Sequence, residues 1–228
     1  MHLGLFTGLR LAKYGQSKPK KGERYATVPF TSHAGKWAGQ PLAFIAEDFQ
    51  LYDKNEILLS HDACIADFSR VAYVQVRFRF DKGKTNFSLR KWRRIDGSFL
   101  CPVKAIIAIL RRARMLGIPL GEPLGAFRVD EGTPYSFIKG EHVSKIMQWA
   151  CLQAYPNPDH YMHRNVKLLH SHSNRITAAI AMQNAGVAFE IIAVRLRWSV
   201  ETVKFYLRDC FRKVGELTKQ SVNGAVMC

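Results

Sequence analysis

The chain has 228 residues, 47% hydrophobic and 11% aromatic, and its 34 Lys and Arg outnumber 18 Asp and Glu to give a formal net charge of +16. That apolar content excludes a disordered basic tail, and at this length one packed domain can bury roughly 70% of the surface its unfolded chain exposes. The positive excess makes a polyanion the expected partner, with nucleic acid ahead of a membrane because no basic amphipathic helix or lipidation signal stands out.

In chain order, Leu3 to Tyr14 reads as a short helix, stopped by a Lys/Pro/Gly-rich loop from Gln16 to Arg24. Two apolar runs, Leu42 to Ile45 and Ile57 to Leu59, flank the turn composition Asp53-Lys54-Asn55 and predict a small antiparallel sheet. The clearest periodicity follows. Ala72, Val74, Val76, Phe78 and Phe80 alternate with Tyr73, Gln75, Arg77 and Arg79, a period of two that predicts a half-buried strand. It runs into Asp81-Lys82-Gly83-Lys84 and returns through Phe87 to Ile95, so a β-hairpin is expected to present Lys82 and Lys84 at its tip. Between Phe68 and Arg114 there are 13 basic residues against two acidic ones, the electrostatic centre of the chain.

Pro102 suits the first turn of a helix whose inward stripe is Val103, Ile106, Ile107, Leu110 and Ala113, and Gly117 and Pro119 stop it. A second helix is expected over Glu141 to Ala154 with Val143, Ile146, Met147 and Ala150 inward, followed by a polar, aromatic loop with Pro156 and Pro158. From Ser171 onward the pattern is helical: Ser171 to Ala185 closed by Gly186, Phe189 to Leu196, then Val200 to about Val214 behind an N-cap Ser199. The expected fold class is therefore α+β in one domain, 1–228, with a small sheet and a helical C-terminal half. The cysteines are odd in number and widely spaced, Cys64, Cys101, Cys151, Cys210 and Cys228, which points to a reducing intracellular compartment rather than a disulfide framework or zinc ribbon. No stretch of about 18 apolar residues spans a bilayer, and the first residues lack the pattern of a secretory signal.

His172 and Arg175 stand three apart, on one face of a predicted helix, where two donors can grip one phosphate. Trp198 is followed by Tyr206 eight residues later, and Arg10 lies in Thr7-Gly8-Leu9-Arg10. Singly each has a plainer reading: Trp198 as core, Tyr206 as part of a helical stripe with Val203, Leu207 and Cys210, Lys82 as an ordinary turn residue. His160, His163 and His170 near His172 suggest a metal, yet no Cys or carboxylate completes a ligand set at zinc spacing.

Taken in order, TGLR (7 to 10), the hairpin lysine of FDKGK (80 to 84), HSNR (172 to 175), LRWS (196 to 199) and the tyrosine of KFYLRD (204 to 209) resemble the catalytic domain of the tyrosine recombinases, the phage integrase family. The form is most similar to integrase-like domains of eukaryotic mobile elements and algal genomes. The resemblance implies site-specific DNA recombination or integration without metal or cofactor, through a 3′-phosphotyrosyl intermediate. Tyr206 would attack the phosphodiester, and Arg10 and Arg175 would clamp the pentacoordinate transition state, since a planar guanidinium matches phosphate bidentately. Trp198 would donate its indole N–H. His172 would receive the tyrosine proton or hold the phosphate, and Lys82, or Lys84 beside it, would protonate the leaving oxygen. Lys84, Arg90, Lys91, Arg93, Arg94 and Arg197 are the expected duplex-DNA contacts. By the same resemblance the chain would assemble as a homo-oligomer on DNA, a tetramer in a synaptic complex; the expected location is intracellular, the nucleus if the host is eukaryotic.

Two departures from the family pattern bear on activity. Lys13 stands where relatives carry an acidic residue three positions after the first arginine, which sets like charge beside Arg10. The upstream clamp domain of the family is absent before Arg10, so the chain reads as truncated at its start. The alternative expectation is a catalytically inactive DNA-binding remnant of such an integrase.

Overall fold

A computed structural model of the chain describes residues 19–31, 34–80, 88–98, 100–171 and 173–207. Four strands form its principal sheet: β1 (Phe49–Tyr52), β2 (Leu58–Leu59), β3 (Tyr73–Phe78) and β4 (Ser88–Arg93), in the antiparallel order β2-β1-β3-β4. The period-two segment places Val74, Val76 and Phe78 inward and leaves Tyr73, Gln75 and Arg77 half exposed on the other face. Register follows that alternation, with Leu51 opposite Val74 on one flank and Trp92 opposite it on the other. At the β1–β2 turn the Asp53 carboxylate accepts from the backbone N–H of Asn55 and Ile57 at 2.8 and 2.9 Å, closing the turn without a glycine.

Helices cover the inner face and extend the chain beyond it. They are α1 (His61–Ala66), α2 (Pro102–Met115), α3 (Gly140–Ala154), α4 (Tyr161–Asn165), α5 (Ser173–Asn184), α6 (Phe189–Leu196) and α7 (Val200–Leu207), with a small hairpin of β5 (Ala126–Phe127) and β6 (Ser136–Phe137) before α3. On α2, Pro102 occupies the first turn and Val103, Ile106, Ile107, Leu110 and Ala113 are buried, packing with Phe44, Phe49, Leu51, Val74, Val76 and Phe78 into the larger core. Gly117, at φ 67, turns the chain out of the helix. A second core joins α5, α6 and α7 through Ala178, Ala179, Ile192, Ala193, Leu196, Val203 and Leu207. Among the described residues no helix is long and apolar enough to cross a membrane.

Some expectations are corrected. Leu42 to Ile45 is not a strand, and the partner of Leu58–Leu59 is Phe49–Tyr52. The Ile45 N–H is taken by the Asp48 carboxylate at 3.0 Å, so that donor serves a single 3-10 turn, Ala46–Asp48, instead of a ladder. Arg79, expected to face outward, is 3% exposed: its Nε donates to both oxygens of the fully buried Asp48 at 2.8 and 2.9 Å, and its Nη2 to the Ala43 carbonyl. On α3, Ile146 and Ala150 face solvent rather than the core, Ile146 at 54% exposure. The helix is turned by the segment that docks on it, where Gln148 donates to the Leu169 carbonyl at 2.9 Å and the Ser144 hydroxyl accepts from the Ser171 N–H at 3.2 Å. The expected helix over Leu3 to Tyr14, the hairpin tip with Lys82 and Lys84, and the stretch from Arg208 to Val214 lie outside the described residues.

Candidate active site

The last three helices bring together three of the six expected catalytic residues. Arg175 sits in the first turn of α5, 7% exposed. Trp198 follows the end of α6, where a left-handed residue, Arg197, closes the helix and the Trp198 N–H donates to the Ala193 carbonyl at 3.0 Å. Ser199 then starts α7, its hydroxyl accepting from the Thr202 N–H at 3.1 Å, so Tyr206 falls on the second turn of α7. The Arg175 guanidinium lies 4.9 Å from the centroid of the Trp198 ring, and the Tyr206 ring 5.2 Å from it at 42°.

Trp198 is therefore the centre of this group, with a cation on one neighbour and a phenol on the other. It is half buried, and its indole N–H is buried with no hydrogen-bond acceptor among the described residues. A buried donor left in that state costs about 1–3 kcal/mol, a cost that a bound acceptor oxygen would remove. Arg175 supplies fixed positive charge next to it and Tyr206 the one nucleophilic oxygen of the three. Arg10, Lys82, His172 and Lys84 lie outside the described residues, although Ser173, the first residue of α5, follows His172 directly.

The remaining basic residues divide by surroundings. Lys91 and Arg93 are exposed on the outer face of β4 in line with Arg77, and Lys91 stands 4.8 Å above the Tyr73 ring and 3.7 Å from Glu56. Arg90 turns to the other face and donates to the Val194 carbonyl at 3.4 Å. Arg94 is engaged internally: it donates to the carbonyls of Phe68, Ser69 and Val71 and pairs with Asp96 at 2.9 Å, which ties the end of β4 to the loop after α1. Arg197 lays its guanidinium 4.1 Å from the Phe78 ring. Arg195, which sequence reasoning did not single out, donates to the Lys91 carbonyl at 3.1 Å, and nothing local in its helix marks that contact.

No family model matches the chain, and no curated protein or solved structure proves similar to it.

Proposed function

We propose that this chain is a DNA strand-transferring enzyme that cleaves and rejoins duplex DNA through Tyr206. The observation that carries the reading is the meeting of Arg175, Trp198 and Tyr206 from three successive helical segments, with the Arg175 guanidinium 4.9 Å and the Tyr206 ring 5.2 Å from the Trp198 ring. In the proposed reaction the Tyr206 oxygen attacks the phosphorus, the bond from phosphorus to the 5′-oxygen breaks, and the 3′-phosphate remains on the tyrosine. His172 takes the phenolic proton, and the 5′-oxygen leaves as a hydroxyl with a proton from Lys82 or Lys84. Arg175, Arg10 and the Trp198 N–H meet the charge that grows on the non-bridging oxygens, where one preorganised donor is worth about 10²–10³ in rate. An ordinary tyrosine is about 0.1% ionised at neutral pH, so neighbouring cations aid the attack as well as the clamping. Rejoining reverses these steps with another 5′-hydroxyl.

The experiment is incubation with a pool of nicked suicide duplexes of randomised sequence in EDTA, read on a denaturing gel. An SDS-stable protein–DNA adduct is expected, since no step uses a divalent ion; adduct formation that requires added Mg²⁺ contradicts the reading. Binding intact without any adduct favours the inactive-remnant alternative, for which the basic Lys13 three positions after Arg10 in sequence is the supporting feature.

Binding itself is expected to be sequence tolerant and salt sensitive, with Lys91 and Arg93 on the exposed face. If about 6 phosphates are neutralised, log K falls against log salt with a slope of roughly −5, and Lys91→Ala and Arg93→Ala should each reduce it by about 1. A slope near zero in a fluorescence-anisotropy titration removes DNA as the partner.

A further inference from the structure

Arg197 occupies a backbone conformation that disfavours it. At φ 56 and ψ 48 it is left-handed, and the one other described non-glycine residue with positive φ is Glu56, in the exposed β1–β2 turn. An L side chain there is strained, which is why glycine most often ends helices this way. An arginine at such a position needs a contact that glycine would not supply. Its guanidinium has one, 4.1 Å from the ring centroid of Phe78, the last residue of β3 and 1% exposed.

Two further arginines join the same elements. Arg195 donates to the Lys91 carbonyl of β4, and Arg90 of β4 donates to the Val194 carbonyl of α6. The last turn of α6 is thus stapled to the hairpin three times, twice by hydrogen bonds and once by a cation over a ring. Trp198 follows the staple on one side. On the other, Phe78 pairs with Ser88, and the connection between those two residues carries Lys82 and Lys84.

We propose that Arg197 is a positioning residue: its left-handed backbone aims Trp198, and its side chain on Phe78 fixes that aim relative to the hairpin. The proposal rests on the strand-transfer reading, because it supposes that groups from helix and hairpin must reach one phosphate together. It gives Arg197 a role different from the direct DNA contact expected of it. A mis-set of about 1 Å between such groups can cost on the order of 10²-fold in rate while leaving binding alone.

Arg197→Gly tests this, since glycine keeps the turn and removes the staple, and Arg197→Lys keeps a cation without the planar fork. With the nicked duplex pool, Arg197→Gly should bind within about twofold of the wild type with an unchanged salt slope. Its adduct rate at saturating DNA should fall by about tenfold or more, and Arg197→Lys should recover part of that loss. Backbone amides of β4 should exchange faster in Arg197→Gly by hydrogen-exchange mass spectrometry, without DNA present. A salt slope reduced by about 1 with the saturating rate unchanged would make Arg197 a phosphate contact and overturn the proposal. Should the wild type form no adduct, the strand-transfer reading fails by itself; β4 exchange then decides the staple, and wild-type protection in Arg197→Gly overturns it.

Discussion

Tyr206→Phe is expected to bind DNA as the wild type does and to form no covalent adduct, a loss of at least about 10³-fold in the rate of strand cleavage. The substitution removes one oxygen. The phenyl ring keeps its neighbours, Trp198 at 5.2 Å and Phe205 at 5.5 Å edge to face, so the packing of α7 on α5 and α6 is retained. Anisotropy and a denaturing gel on the same samples separate the two effects. Adduct persisting in Tyr206→Phe at a rate within tenfold of the wild type would move the nucleophile elsewhere, and loss of binding together with the adduct would make Tyr206 a packing residue.

The second large effect concerns stability. Asp48→Ala should cost about 3–5 kcal/mol, because it leaves the Arg79 guanidinium buried without its carboxylate. It also frees the Ile45 N–H that Asp48 accepts, opening the turn that delivers Phe49 to the core. For a chain of this size the loss corresponds to a fall of about 10 °C in Tm. Combining Asp48→Leu with Arg79→Met removes both charges and should return part of the loss, since a buried pair is often worth no more than a packed apolar one. Urea unfolding measures both; a cost under about 1 kcal/mol for Asp48→Ala would show the guanidinium finding other partners.

The same pair shows where the amino-acid pattern stops being informative. Alternation over 72–80 predicts β3 because Val74, Val76 and Phe78 bury their side chains on a pleated face, a local property. Arg79 obeys the alternation on paper and breaks it in the fold, since its partner lies 31 residues away. Helix α6 is expected over Phe189 to Leu196 and found there, its apolar Ile192, Ala193 and Leu196 buried; α1 is six residues long, and its cap at Ser60 is too brief a signal to mark it. On α3 Val143 and Cys151 are buried, but the docking of 166–171 through Gln148 and Ser144 turns the helix so that Ile146 is left outside. Within the candidate site, Arg175, Trp198 and Tyr206 are grouped beforehand by a resemblance in motif order. Their geometry depends on the sharp exit at Arg197 and the restart at Ser199, of which only the second carries a readable cap. The contacts of Arg90, Arg94, Arg195 and Arg197 with carbonyls and rings have no counterpart in charge count, which treats every arginine as a solvated cation.

Whether Tyr206 carries the DNA during strand transfer is decided by peptide mapping of the trapped wild-type adduct by mass spectrometry after nuclease trimming. A nucleotide mass is expected on the peptide containing Tyr206, joined through a 3′-phosphotyrosyl bond and formed equally in EDTA and in Mg²⁺. Nucleotide on any other residue, or on Tyr206 only when Mg²⁺ is present, would contradict that role.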